Sequence, residues 1–200
     1  MKSLVLATED LLSEEAGVRL VEEAGLQVEQ RLRRGGSGYL RSRIPNFCQM
    51  ASFRTVLVIT DLDQARCPSQ LLSDWLGSRE IPPGLIVRVA VREIESWLLA
   101  DHEAMRRLLG KRAGTLPREP ELLPNPKSTL LNMARQAPRD VRDDLLPPEG
   151  AVASQGLGFN RRLGSLIKSD WSPARAADRA PSLGKARRRL RELAQDLHRD

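Results

Sequence analysis

Cysteine is nearly absent: Cys48 and Cys67 are the only two in 200 residues. Neither sits in a CxxC or Cys/His pattern, which argues against a disulfide framework and against a structural zinc site. Two isolated thiols suit a reducing compartment, and a cytoplasmic location is expected. Aromatic residues are also scarce, with three Trp, one Tyr and three Phe. That is little material for a base-stacking platform on RNA or single strands. No apolar run approaches the roughly 18–20 residues that cross a bilayer, so no membrane partner is expected. The opening MKSLVLATEDLLSEE turns acidic too early for a secretory signal. Ser37 and Ser165 lack any His/Asp partner pattern, which removes a hydrolase triad. Gly35-Gly36-Ser37-Gly38 lacks the Gly-Lys-Ser/Thr ending of a phosphate-binding loop, and Gly156-Leu157-Gly158-Phe159-Asn160 is no stronger. Two lone histidines remain, His102 and His198, and His102 reads as a helix-cap neighbour of Asp101.

What is present is a folding composition with an uneven charge. The chain is 40% hydrophobic and 29% charged, enough to bury a core. Its net charge is +6, yet residues 1–100 carry 12 basic and 13 acidic side chains. Residues 161–200 carry 11 basic and 5 acidic ones, so the tail holds the whole excess. Such a basic terminus suits a polyanion, and nucleic acid is the expected partner.

Apolar runs at Leu4–Ala7, Thr55–Thr60 and Leu85–Val91 read as strands, the last two rich in β-branched residues as in strands covered on both faces. Leu26–Leu32 alternates like an edge strand. Helices are expected over Ser13–Ala24, within 39–52 with Pro45 interrupting, over Ser69–Leu76, from about Arg92 to Asp101, near Ser128–Gln136 and over Ser182–His198. Residues 33–38 read as a loop. The βα alternation predicts an α/β fold, a mainly parallel sheet flanked by helices. It divides the chain into an α/β core over 1–110 and a helical, Pro-interrupted appendage over 111–200 packed on that core. The last helix places Leu183, Ala186, Leu190, Leu193 and Leu197 on one side, with Arg187, Arg188, Arg189 and Arg191 on the exposed side.

Acids follow three of the four strands: Glu9 after the first, Asp61 and Asp63 after the third, Glu93 and Glu95 after the fourth. In an open parallel sheet these ends share one edge, where ligands bind. Carboxylates gathered there repel one another unless protonated or neutralised by a cation. Oxygen-only ligands suit Mg²⁺ or Mn²⁺, one or two ions, and hence metal-assisted phosphodiester cleavage. Each acid alone has a plainer reading. Asp61 or Asp63 could cap the next helix, Glu9 could complement a helix dipole, and Glu93 looks solvated. Glu95, between Ile94 and Trp97, is hardest to place in solvent. Lys127, after Pro126, is a candidate phosphate contact with a solvated lysine as its plain alternative.

Leu4-Val5-Leu6-Ala7-Thr8-Glu9-Asp10, Ile59-Thr60-Asp61-Leu62-Asp63 and Arg92-Glu93-Ile94-Glu95-Ser96-Trp97-Leu98-Leu99-Ala100-Asp101 together resemble the Toprim-like nuclease families of bacterial defence systems, most closely the DUF4276 family. Asn125-Pro126-Lys127, Trp171-Ser172-Pro173 and Ala180-Pro181-Ser182-Leu183 extend the likeness over most of the chain. The resemblance implies a Toprim-like core in which Glu9, Asp61 and Asp63 are the metal-binding acids, with Glu95 added. It also implies a nuclease of a defence or mobile-element module and an ATPase partner of the ABC or AAA type. The Toprim glycine after the first Glu is replaced here by Asp10. A rival reading is a non-catalytic, partner-binding subunit. Primase or topoisomerase activity is disfavoured by the chain length and by Tyr39 being the only tyrosine.

Overall fold

A computed structural model describes residues 3–196. The end of the last expected helix, with Leu197 and His198, lies outside the described residues. Four strands, β1 (Ser3–Thr8), β2 (Gln27–Arg33), β3 (Val56–Asp61) and β4 (Leu85–Ala90), form one sheet in the order β2-β1-β3-β4. Every pairing is parallel. The chain leaves β1 toward β2 on one side and returns to β3 on the other. The C-terminal ends of β1 and β3 therefore flank the point where strand order reverses, the place where such sheets open a crevice.

Helices cover both faces, as the apolar strands require. On one face α1 (Leu11–Glu23) and α4 (Ile94–Ala100) pack with Leu4, Leu6, Leu57, Ile59 and Ile86. Gly17 lets α1 sit close, since a Cβ there would lie 2.9 Å from Leu6 Cδ1. On the other face α2 (Ser37–Met50) and α3 (Pro68–Leu76) cover Val5, Ala7, Val56, Val58 and Val87. Pro45 does not interrupt α2, and the helix already begins at Ser37 within the expected loop. Arg41, whose carbonyl would have taken the missing bond, is exposed.

The chain then continues as α5 (His102–Leu109), α6 (Pro126–Ala134), α7 (Arg139–Leu145), α8 (Phe159–Ser169), α9 (Pro173–Ala176) and α10 (Pro181–Asp196). Their apolar sides, including Leu130, Leu145, Phe159, Ile167, Trp171 and Leu190, join the same core as α1 and α4. The Pro-broken helices therefore do not close a core of their own, and the whole helical segment is laid against one face of the sheet. Trp97 of α4 anchors it. Its backbone carbonyl accepts from Trp171 Nε1 at 3.0 Å, and its Nε1 donates to Ser182 Oγ at 2.7 Å. No helix among the described residues is long and apolar enough to cross a membrane.

Candidate functional site

Glu9 leaves β1 beside Thr60, because the parallel register sets Thr8 against Ile59. Its Oε1 accepts from the Thr60 hydroxyl and from the Asp61 backbone N–H at 2.9 Å. Asp10, one residue on, caps α1 by accepting from Ser13 N at 2.8 Å. The helix-capping duty thus falls on Asp10 and leaves Glu9, 8% exposed, to face β3. Asp61 and Asp63 cap nothing either, since α3 starts after Cys67. Their plain readings are displaced. Asp61 Oδ1 is sealed from solvent and has no hydrogen-bond partner.

The loops after β3 and β4 are tied together. Leu62 N donates to Ala90 O and Asp63 N to Arg92 O, both at 2.9 Å. Arg92 Nη1 returns a bond to Asp63 O at 3.2 Å. Asp63 (φ 49°) and Arg92 (φ 66°) both adopt the left-handed conformation. That conformation costs a non-glycine residue roughly 1–2 kcal/mol, so two facing strained residues mark this rim as constrained.

Glu95 enters from the first turn of α4 and is 1% exposed. Its Oε1 lies 3.3 Å from Lys127 Nζ at the start of α6. The same ammonium stands 5.7 Å from the centre of the Phe159 ring. Lys127 also donates its backbone N–H to Glu93 Oε2 at 2.8 Å. Glu93 was expected in solvent, pointing elsewhere. Instead it holds the backbone of α6 in place, a long-range bond with no local sequence signal. Lys127, expected to face a phosphate, is committed to Glu95 in this state.

The electrostatics tie these groups together. Burial pushes the Asp61 carboxyl well above the usual range, and the charges of Glu95, Glu9, Asp10 and Asp63 push it further. Burial raises Glu95 to about 7 against the pull of Lys127, with Glu93 and Asp10 adding to the rise. Glu9 is raised by burial, opposed by its bonds from Thr60 and Asp61 N. The acids expected from strand ends thus share one electrostatic neighbourhood. Thr60, Asp10, Glu93 and the Lys127 counter-charge complete it. Of these, Glu93 and Lys127 are legible as residues but not as partners, and Asp10 carries a local signal, an Asp three residues before Ser13 at a helix start.

In kind, this donor set fits a hard divalent cation: oxygen only, with Asp61 Oδ1 buried and unpartnered. In position, no three His, Cys, Asp or Glu side chains among the described residues stand together as a ligating group. Glu9 is turned to Thr60 and Glu95 to Lys127.

The basic tail differs from its expectation. The stripe Leu183, Ala186 and Leu190 packs in the core as anticipated. The arginines are divided: Arg188 and Arg191 are exposed, while Arg187 and Arg189 are half-buried. Arg187 Nε donates to Glu23 Oε2 at 2.9 Å, and its side chain is only 12% exposed. Arg191 approaches the same carboxylate at 3.5 Å, and Arg189 approaches Glu192 at 3.7 Å. Arg188 alone of the four is exposed with no acid within 4.0 Å among the described residues. The cause is Glu23, at the end of α1, which sequence reading could not bring beside α10.

No family model, no curated protein and no solved structure matches the chain. The likeness to Toprim-like nucleases rests on the quoted residues.

Proposed function

We propose that this protein is a metal-dependent phosphodiester hydrolase whose acids at the C-terminal edge of the sheet take Mg²⁺ or Mn²⁺. The observation that carries this reading is Asp61: an acid with one sealed, unpartnered oxygen, at the strand-order reversal, its pKa raised first by burial and then by the charges of four further acids. Nearly all buried side-chain polar atoms have at least one hydrogen-bond partner. This oxygen has none, and a cation would satisfy it.

Glu9, Asp61, Asp63 and Glu95 would hold the ion, which when bound activates water and stabilises the leaving oxygen. Thr60 and the Asp61 N–H fix the Glu9 carboxylate. The Asp63–Arg92 staple fixes the separation of the β3 and β4 loops. Lys127 neutralises Glu95, and with a cation on Glu95 its ammonium would be available to a phosphate oxygen. Glu93 keeps Lys127 within reach by holding its backbone. The Toprim fold, the defence or mobile-element setting and the ABC- or AAA-type ATPase partner are part of this proposal and are supported by the resemblance alone.

A second reading, a non-catalytic partner-binding subunit, is favoured by one observation: no three acids among the described residues are in ligating geometry. One experiment separates the two. Duplex DNA, single-stranded DNA and RNA are incubated with the protein and Mg²⁺ or Mn²⁺. The hydrolase reading expects cleavage of at least one substrate, lost by at least 100-fold in Asp61→Asn/Asp63→Asn with the circular dichroism spectrum unchanged. Absence of cleavage, or equal cleavage by the double variant, favours the subunit.

A further inference from the structure

The far end of α4 opens on a second charged feature, a groove of about 650 Å³. Five cations line it, Arg106, Arg107, Lys111, Arg175 and Arg179, against three acids, Asp101, Glu103 and Asp178. Two of the cations are already committed. Arg175 grips the fully buried Asp101 with Nε and Nη2 at 2.9 and 2.8 Å. Arg107 binds Glu103 and reaches Asp170 Oδ1 at 2.9 Å.

Arg106, Lys111 and Arg179 have no acid within 4.0 Å among the described residues. Arg179 Nη1 makes one long contact, 3.5 Å, to Ala100 O at the end of α4. Asp178 is the only lining acid without an ion pair among the described residues. The groove therefore has three free cations from three separate segments and one free acid to oppose them. The segments are α5, the turn after it, and the link between α9 and α10. Asp101 ties α5 to the start of α9, capping α5 through Ala104 N and accepting from Ser172 N at 2.8 Å. Cations from different elements held around one concavity are unlike the scattered charges of a solvated helix face, which can spread apart.

We propose that this groove is a phosphate-binding site in which Arg106, Lys111 and Arg179 receive a phosphate group, with Arg175 fixed by Asp101 as its wall. The ligand class is a phosphate ester, either a free mononucleotide or a phosphate of a nucleic-acid strand. The site is separate from the acids at the other end of α4 and does not depend on hydrolysis there.

The test measures binding of inorganic phosphate, a 5′-mononucleotide and a labelled single-stranded oligonucleotide to the full chain, without divalent metal. Three proteins are compared. They are the wild type, Arg106→Gln/Lys111→Gln/Arg179→Gln, and a control of equal charge loss, Arg41→Gln/Arg43→Gln/Arg66→Gln, drawn from exposed positions outside the groove. Thermal melts confirm that each is folded. The groove variant is expected to lose at least tenfold in affinity for a probe that the wild type binds, and the control less than twofold. Loss on phosphate and mononucleotide assigns a free nucleotide. Loss on the oligonucleotide alone, with the salt dependence of log K flatter by about two, assigns a strand phosphate. Equal affinities of groove variant and control, or no binding of any probe by the wild type, overturns the proposal.

Discussion

Two buried acids stand at opposite ends of one seven-residue helix, and they are treated differently. Asp101, fully buried, receives four donated bonds: Ala104 N, Ser172 N, and Nε and Nη2 of Arg175. Glu95, 1% exposed, has one ammonium at 3.3 Å, a bond from its own backbone N–H, and other acids near it. Asp101 binds α9 to the α4–α5 junction, so its charge is spent on architecture. Glu95 is kept short of donors at the sheet edge, next to Asp61 with its unpartnered oxygen. Burial alone therefore does not separate the two acids; the number of donors each receives does.

Breaking the satisfied end should have the largest effect on stability. Arg175→Ala leaves the Asp101 charge buried with two N–H donors and no cation, a loss of about 3–5 kcal/mol. A urea melt measures it. A loss below about 1 kcal/mol would erase the contrast between the two ends.

At the other end the sign reverses. A carboxyl raised to about 7 in the fold, against an ordinary value of 4.5, binds more protons folded than unfolded between those values. Stability is then greatest below about pH 4.5, falls as pH rises through 7, and Glu95→Gln removes that fall. The variant should be more stable than wild type at pH 8 by up to about 3 kcal/mol, with little difference at pH 5, and should be inactive in cleavage. Lys127→Met should move Glu95 further up, because it deletes the one cation pulling it down. Carboxyl titration followed by NMR reads that shift directly.

A smaller effect sharpens the picture of the rim. Arg92→Gly relieves a φ of 66° and should stabilise the fold by up to about 1 kcal/mol. It should also lower cleavage, since the bond to Asp63 O goes with the side chain. Smallest of all is the tail. Arg187→Gln/Arg191→Gln should change the salt slope of nucleic-acid binding by well under one unit, because both arginines serve Glu23. A slope change near two would restore them as phosphate contacts.

The strands were legible because their signals are local. Residues 56–59 and 85–87 are apolar throughout; Asp61 closes the first strand, and Glu93 and Glu95 come three and five residues after the second. Parallel order then gathers those acids without any side-chain detail. The helices α7 and α8 were not legible. Arg139–Leu145 has two buried residues, and Phe159–Ser169 starts from a glycine-rich segment whose apolar side has meaning only against α1. Pro45 misled in the opposite sense, since one missing bond on an exposed side does not end a helix. At the site, Glu9, Asp61 and Glu95 were readable from position, while Lys127–Glu95, Glu93–Lys127 and Arg187–Glu23 join residues 32 or more apart. Their pairing depends on the packing of α6 and α10, which no local pattern encodes.

The central claim, that the sheet-edge acids exchange protons and the Lys127 contact for a divalent cation, is tested most directly by titrating Mn²⁺ calorimetrically at pH 7 in two buffers of different ionisation enthalpy. With Glu95 near 7 and Asp61 raised, binding must release protons, so the measured heat should depend on the buffer. The heat and the proton release should both vanish in Asp61→Asn. No Mn²⁺ binding by the wild type, or an unchanged isotherm in Asp61→Asn, would contradict the account.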